Sequence, residues 1–165
     1  MGDIKSVIDI ISPENGDIKE EDLRELIFNF VDKHDKMVLA YNNEVQEPVQ
    51  SLMLYAVDND FSLYFGTLKR FPKYESLIKN PPLSIMIPEE KMGALKAVSL
   101  KAIITEEIDD KEKLEKTLEW FSQKNSCEYY IKDQDDFVMF KIKILSARLL
   151  DGTDGSLVRF DLNLI

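Results

Sequence analysis

The residues most able to do chemistry in this sequence are the basic side chains between positions 69 and 79. Four of the residues in this segment are basic and one is acidic, so it carries +3 in a chain of net charge −10. The basic residues are Lys69, Arg70, Lys73 and Lys79. Concentrated positive charge in an acidic protein is typical of a site that attracts an anion. On charge alone, a solvated surface helix is the simpler interpretation.

The order of residues around this segment favours an anion site. Pro72 stands where a helix can begin, because its missing N–H would be unpaired there in any case. Lys73 then falls in the first helical turn, where a cation is unfavourable by about 0.3–1 kcal/mol unless an anion binds there. Thr67, at the end of the preceding strand, can add a hydroxyl hydrogen bond. We predict an anion site at Thr67 and Lys73, with Arg70 and Lys69 as secondary candidates.

Other chemistries have weaker support in the sequence. His34, the single histidine, follows the first predicted helix, where its charged form would complement the helix dipole. The single cysteine, Cys127, can form neither an internal disulfide nor a zinc cluster. Asp133, Asp135 and Asp136 lack the glycine and the terminal glutamate of a calcium loop, so a solvated turn is predicted. We therefore assign no metal site and no catalytic acid, base or nucleophile.

Length and charge restrict the class of protein. A chain of 165 residues fits one domain, and a net charge of −10 argues against nucleic acid and anionic membranes as partners. No apolar run approaches the roughly 20 residues of a membrane-spanning helix. The N-terminus lacks the order of a signal peptide, and cysteine is scarce. These features predict a cytoplasmic protein.

Apolar periodicity predicts three helices and about six strands. Capping boxes at Asp17 with Glu20 and at Asp109 with Glu112 open the first and third helices, and the second begins at Pro72. The predicted strands are 37–41, 49–57, 61–65, 83–87, 98–104 and 137–150. The first three strands lack crossover helices, which disfavours a parallel sheet. The pattern indicates an α+β domain built on a closed or nearly closed antiparallel barrel.

Several residues between positions 60 and 81 occur in a distinctive order. They are a strand ending in Phe65-Gly66-Thr67, then Lys73, Leu77 and Asn80-Pro81. This order resembles the signature of the pyridoxamine 5′-phosphate oxidase-like split β-barrel family. The succession of helices and strands from 20 to about 150 is similar as well. The resemblance implies an antiparallel split β-barrel over 17–150, with 1–16 as a lead-in and 151–165 as a tail.

The resemblance also implies a cofactor and an oligomeric state. In the family, the turn between the strand that ends at Thr67 and the helix that contains Lys73 holds the phosphate of flavin mononucleotide (FMN). Members are typically homodimers with two flavin sites at the subunit interface. Looser relatives hold the flavin largely through backbone groups of the second strand. Here those residues are Gln50, Ser51, Leu52 and Met53. The implied ligands of FMN are therefore these four residues together with Thr67, Lys73, Arg70 and Lys69.

Some family positions carry other residues in this chain. Phe71 replaces a serine, Ser51 and Ala56 fall where the oxidases carry arginine and lysine, and Ala97 replaces a glutamine. Oxidation of pyridoxamine phosphate is therefore not expected. The leading hypothesis is an FMN-binding oxidoreductase that transfers hydride through the flavin to or from an unknown substrate. The alternative is a non-catalytic split-barrel binding or dimerisation module that has lost flavin or holds another ligand.

Overall fold

The computed structural model describes residues 18–91, 93, 95–125, 135–152 and 157–164. Asp17, Cys127 and Asp133 lie outside the described residues. The helices are α1 (Glu20–Lys33), α2 (Pro72–Lys79) and α3 (Lys111–Lys124). The strands are β1 (Lys36–Asn42), β2 (Pro48–Leu54), β3 (Ala56–Val57), β4 (Ser62–Leu68), β5 (Pro82–Pro88), β6 (Lys96–Ile108), β7 (Phe137–Asp151) and β8 (Val158–Asn163).

All the strands belong to one antiparallel sheet, which confirms the predicted α+β split barrel. The strand order is β2-β1-β5-β6-β7-β4-β3, and β8 pairs with β7. The two ends of this order, β2 and β3, are consecutive in the chain, so the sheet curls until its edges approach each other. Cα atoms of β2 and β4 come within 8 Å, although these strands do not pair. The barrel is therefore split beside the free edge of β2.

The strand predicted at 49–57 is divided at Tyr55, which corrects the sequence prediction. Tyr55 leaves the ladder because its N–H donates to the carbonyl of Asp35 at 3.0 Å and its hydroxyl to that of Val31 at 2.6 Å. Asn125 Nδ2 donates to the Tyr55 carbonyl at 2.7 Å. These three bonds fix the bend that sends the chain from β2 at one edge of the sheet to β3 at the other. A further strand, β8, lies in the tail and brings the described strands to eight.

Helix starts and buried faces differ in detail from the prediction. The N-cap of α1 is Lys19 without a side-chain cap, and the N-cap of α3 is Asp110, whose side chain accepts from the Lys113 N–H. Because Asp110 caps α3, the side chain of Asp109 does not cap the helix and can contact another segment. Leu26 and Ile78 fit the apolar periodicity of their helices but are exposed, because the helix faces that contact the core run through Leu23, Ile27, Phe30, Val31 and Leu77.

Two apolar cores lie on opposite faces of β4. One fills the barrel and packs against α1, with Leu63 and Phe65 pointing into it. The other lies under α3 and includes Phe121 and Phe137. Gly66 faces this second core, and a Cβ at this position would lie 2.2 Å from Cζ of the Phe137 ring. Gly66 is therefore required by close packing, whatever binds nearby.

Candidate functional site

The turn between β4 and α2 places the predicted anion-binding residues. The Phe71 N–H donates to the Leu68 carbonyl at 3.0 Å, and the Tyr74 N–H donates to the Phe71 carbonyl at 2.9 Å. Phe71 is the N-cap of α2 and Pro72 its first residue, as predicted, and no side chain of the described residues caps this end. The first turn of α2 therefore presents the positive end of the helix dipole without an anionic cap.

Lys73 is the unusual cation of this corner. Its Nζ lies 3.0 Å from Sδ of Met53 on β2, and a thioether is only a weak hydrogen-bond acceptor. Among the described residues no carboxylate lies within ion-pair distance, 4.0 Å, of this amine. Burial lowers the pKa of Lys73 because the ammonium is partly removed from water. A half-buried amine without a counter-ion is suited to binding an anion from solution.

The other three basic residues of the segment are held by carboxylates. Lys69 Nζ lies 2.9 Å from Asp109 and 3.4 Å from Glu107, and the hydrogen bond to Asp109 raises its pKa. Arg70 binds Asp136 through Nη1 at 2.8 Å and through its backbone N–H at 3.1 Å. Lys79 contacts Glu44 at 2.9 Å. The positive charge that is concentrated in the sequence is therefore largely neutralised around these three side chains.

Thr67 lies in the barrel interior, next to the last residue of β4. Its side chain points to the same face as Leu63 and Phe65, and the residue is 4% exposed. Within the described part of the chain, Thr67 Oγ1 has no hydrogen-bond partner. A buried unpaired hydroxyl costs about 1–3 kcal/mol, so a ligand that reached it would remove a penalty. No hydrogen bond between described residues joins Thr67 to Lys73.

The four residues predicted on β2 divide between the two faces of the sheet. Ser51 and Met53 are half-buried and face inward, whereas Gln50 and Leu52 are exposed on the outer face. Only Ser51 and Met53 share the side of the strand on which Lys73 lies. β2 is also an edge strand that pairs with β1 alone, so its other edge carries backbone groups without a strand partner. These backbone groups are available to a ligand in the split of the barrel.

At two family positions the residue present has an apolar side chain, which cannot form a hydrogen bond to a phosphate. Ala56, in the place of a basic residue, is buried in the core under α3. Phe71, in the place of a serine, is 46% exposed, and the Arg70 guanidinium lies 5.8 Å from its ring centroid. Lys73 is consequently the one basic side chain of the implied set that lacks a carboxylate partner among the described residues.

Sequence reasoning missed the acidic side chains that hold the turn. Asp136 was predicted in a solvated turn, but it accepts from Arg70, and its carbonyl accepts from the Lys69 N–H at 2.8 Å. Asp109 was predicted as a helix cap, but it binds Lys69 instead. Asp136 lies 66 residues from Arg70 along the chain, so no local pattern indicates the contact. These acids fix the turn that leads into α2.

The described residues offer little support for other classes of site. They hold no group of three or more histidine, cysteine, aspartate or glutamate side chains suited to a metal ion. No helix among them has both the length and the apolar character needed to cross a membrane. His34, as predicted, is structural: its Nδ1 bonds the Phe30 carbonyl at 2.7 Å.

Comparison with known proteins supports the fold. No protein-family model matches the chain, and no curated protein matches its sequence. Among solved structures, ChuZ of Campylobacter jejuni matches 98% of this chain and 66% of its own, with 17% identity and a TM-score of 0.74. A putative pyridoxamine 5′-phosphate oxidase from Listeria innocua matches 77% of this chain and 97% of its own, with 24% identity and a TM-score of 0.58.

A third solved structure extends the comparison. An FAD-binding protein from Mesorhizobium loti matches 75% of this chain and 89% of its own, with 21% identity and a TM-score of 0.58. At these identities the similarity establishes the fold. The resemblance inferred from residues 60–81 is thereby confirmed at that level: this chain has the fold of the pyridoxamine 5′-phosphate oxidase-like split barrels.

Proposed function

We propose that this protein is an oxidoreductase that binds FMN, with the phosphate held where β4 leads into α2. The observation that carries the proposal is the state of Lys73, a half-buried amine without a carboxylate partner among the described residues, at the uncapped start of a helix. The substrate is left open, and a cytoplasmic location remains a prediction from composition.

The chain's own residues fit a phosphate group. Lys73 supplies a full positive charge in a partly dehydrated position, where its attraction to a dianion is less screened than at the surface. The start of α2 adds the positive end of the helix dipole, which favours a negative ligand. Thr67 supplies a buried hydroxyl that lacks a partner within the described part of the chain. Lys69 and Arg70 keep the turn in place through Asp109 and Asp136.

The split of the barrel can accept the rest of the cofactor. Ser51 and Met53 line the inner side of β2, and the free backbone edge of this strand can bond a planar polar ring. A bound flavin supplies hydride transfer, while the protein binds and orients it. We assign no catalytic acid or base, because the described residues next to Lys73 include none placed for that role.

The turn between β4 and α2, with Lys73, suits the phosphate of FMN better than the phosphates of FAD. The terminal phosphate of FMN is a monoester that approaches two negative charges at neutral pH. The two phosphates of FAD each carry one charge and continue into the adenosine, so neither presents a dianion to Lys73. The FAD-binding protein from M. loti shares the fold, so FAD belongs in the experiment as a competitor.

We also propose that the flavin-binding form is a homodimer. Leu52, Val38 and Met86 stand opposite one another on β2, β1 and β5, and they form an apolar row on the outer face of the sheet. Leu52 is 72% exposed and Met86 is 49% exposed. Dimer formation would be confirmed by a mass of about twice 19.1 kDa in light scattering, and a charge placed in the row by Leu52→Lys should return the protein to a monomer if the row is the interface. Monomeric protein that binds FMN fully would contradict this part of the proposal.

A titration with three flavins tests the cofactor. Apo protein is titrated with FMN, FAD and riboflavin, and binding is followed by quenching of flavin fluorescence. FMN should bind best, and riboflavin at least about tenfold more weakly, because it lacks the phosphate. Equal affinity for FMN and riboflavin would remove the phosphate assignment. No binding of any flavin by correctly folded protein would leave the alternative of a non-catalytic binding or dimerisation module.

A pair of lysine variants assigns the site. Lys73→Met should weaken FMN binding by about 10- to 150-fold, the value of one hydrogen bond to a charged group. Lys79→Met, at the other end of α2, removes the same charge from a side chain that is paired with Glu44, and should change the affinity by less than about threefold. Equal losses in both variants would show a general effect of charge.

A further inference from the structure

The outer face of the sheet carries a second concave surface, away from Lys73. A groove of about 400 Å³ crosses β5, β6, β7 and β8. Its lining is mostly polar and includes Ser84, Ser99, Lys101, Ser146, Arg148 and Asn163. One row of paired residues crosses β6, β5, β1 and β2, and its members are Ser99, Met86, Val38 and Leu52. Leu52 lies on the exposed outer face of β2. The groove is therefore on the opposite face from Met53 and Lys73.

Strand register alternates cations and hydroxyls across this groove. Lys101 on β6 lies between Ser84 on β5 and Ser146 on β7. In the next row, Ser99 is opposite Arg148. Directly opposite residues in an antiparallel pair have Cβ atoms about 4.5–5.5 Å apart. A single small ligand can therefore contact one ammonium group and the hydroxyls on both sides of it.

A β-bulge lies at the same point. The register of β6 and β7 shifts between Lys101 and Ala102, and Leu145 on β7 is left without an opposite residue. The carbonyl of Leu145 accepts from the Leu164 N–H at 3.0 Å, which ties β8 to the bulge. A bulge bends its strand and turns the neighbouring side chains, and bulges are enriched next to functional sites. Lys101 and Ser146 are the residues immediately beside it.

The charge of the groove is positive although the chain is acidic. Within the residues that the structure describes, Lys101 makes no ion pair. Arg148 and Arg159 share one carboxylate, that of Asp161, at 2.7 Å each. The groove lining therefore holds two cations, Lys101 and Arg148, and one anion, Asp161, in a chain whose net charge is −10. Hydroxyls beside an unpaired ammonium are the donors that recognise phosphate oxygens.

We propose that this groove binds a small phosphate monoester, with Lys101 as the central contact and Ser84, Ser99 and Ser146 as hydroxyl donors. The apolar row of the proposed dimer lies on β2, β1 and β5, whereas Lys101 and Arg148 lie on β6 and β7. The two surfaces meet at β5, where Met86 of the row stands opposite Ser99 of the groove. Nucleic acid is a poorer candidate, because the rest of the acidic chain would repel a polyanion.

The experiment uses the whole protein with inorganic phosphate and phenyl phosphate as probes. Binding is measured by calorimetry and by backbone amide shifts in NMR spectra. In the Lys73→Met protein, whose proposed flavin-phosphate site is disabled, shifts should be confined to β5, β6, β7 and β8, and adding Lys101→Gln should weaken binding at least about tenfold, since a charge-assisted contact is lost. Lys143→Gln, an exposed lysine on β7 outside the groove, is the matched control and should bind as the wild type does.

Several outcomes would overturn the proposal. Equal weakening by Lys101→Gln and Lys143→Gln would indicate general attraction between charges. Shifts scattered over the surface would do the same. If Lys101→Gln failed to fold, Ser146→Ala would serve instead, with a loss of at least about threefold expected. Lys73→Met should bind phenyl phosphate in the groove normally, so loss of flavin binding and loss of groove binding are separable.

Discussion

Lys69 and Lys73 lie four residues apart in the same basic segment, but their surroundings are opposite. Lys69 contacts Asp109 and Glu107, and the hydrogen bond to Asp109 raises its pKa. Lys73 is half-buried against the Met53 thioether, and burial lowers its pKa. The Lys69 ammonium is stabilised by two carboxylates, whereas the Lys73 ammonium has no carboxylate within ion-pair distance among the described residues.

This difference separates a structural cation from a binding cation. An ion pair already made must be broken before Lys69 can bind a ligand, so a new anion gains little there. Lys73 has lost part of its hydration without gaining a counter-ion, so a bound anion gives it a partner it lacks. The concentration of positive charge in the sequence indicates the segment in which an anion could bind. Only the ion pairs of the folded structure show which of its basic side chains has no carboxylate partner and can bind an added anion.

The largest expected effect comes from giving Lys73 the kind of partner that Lys69 has. In Met53→Glu a carboxylate would lie beside Lys73 and occupy its ammonium group. We expect FMN affinity to fall at least about 100-fold, since a charge-assisted bond is lost and like charges repel. Flavin fluorescence titration measures the change. Met53→Leu is the control and should stay within about threefold; a comparable loss in this variant would mean that packing, and not charge, was responsible.

Alkaline pH should weaken FMN binding through Lys73. The lowered pKa means that this amine loses its proton at a lower pH than an ordinary lysine. Affinity should be flat from about pH 7, where the phosphate is mostly a dianion, up to that pH, and should then fall by up to about tenfold per pH unit, because the bound phosphate favours the protonated amine. In Lys73→Arg the guanidinium stays charged, so the decline should disappear. A decline of the same size in this variant would assign the titration to another group.

Thr67→Val tests whether the buried hydroxyl is a cost in the ligand-free protein. Valine keeps the shape and removes the unpaired Oγ1, so the free energy of unfolding should rise by about 1 kcal/mol. Thr105→Val is the contrasting variant, because Thr105 Oγ1 donates to the Lys141 carbonyl at 3.2 Å, and it should not be stabilised. Urea unfolding of both variants without flavin gives the comparison. Loss of stability in Thr67→Val would show that the hydroxyl has a partner after all.

The smallest expected effects are on the stability of the ligand-free protein. Lys73→Met should raise the free energy of unfolding, because a partly buried charge disappears, and Lys69→Met should lower it by no more than about 1 kcal/mol.

The pH dependence of the wild-type free energy of unfolding has a definite sign. The unfolded chain holds the Lys73 proton to a higher pH than the folded one, so wild-type stability should gain from Lys73 as pH rises through its lowered pKa. Urea titrations at several pH values show whether the sign is correct.

Much of the architecture was predictable because its causes are local. Period-two runs separated by polar turns identified the antiparallel strands, and Pro72 identified the start of α2. The bend at Tyr55 was not predictable, because its cause is a set of hydrogen bonds to Val31, Asp35 and Asn125 from three other parts of the chain. From the sequence alone, residues 49–57 are predicted to form one strand, because their local pattern contains no sign of these distant partners.

The candidate site was predictable as a region but not in its details. Lys73 and Thr67 were identified from their order around a helix start. The structure puts Lys73 in the first turn of α2 beside Met53 and the Thr67 side chain in the barrel interior, with no hydrogen bond between them among the described residues. Gln50 and Leu52 were grouped with Ser51 and Met53, and the pleat of β2 separates the two pairs onto opposite faces. The roles of Asp109 and Asp136 required contacts between residues far apart in sequence.

By itself, the sequence determined the antiparallel strands, the basic segment after β4 and the helix that begins at Pro72, because periodicity, charge and proline act on their neighbours. Only the tertiary structure decided which of the four basic residues is left without a carboxylate partner and can bind an anion. Lys69, Arg70 and Lys79 meet carboxylates from distant segments, and Lys73 meets a thioether. Electrostatic pairing depends on distance in space, and folding alone brings those partners together.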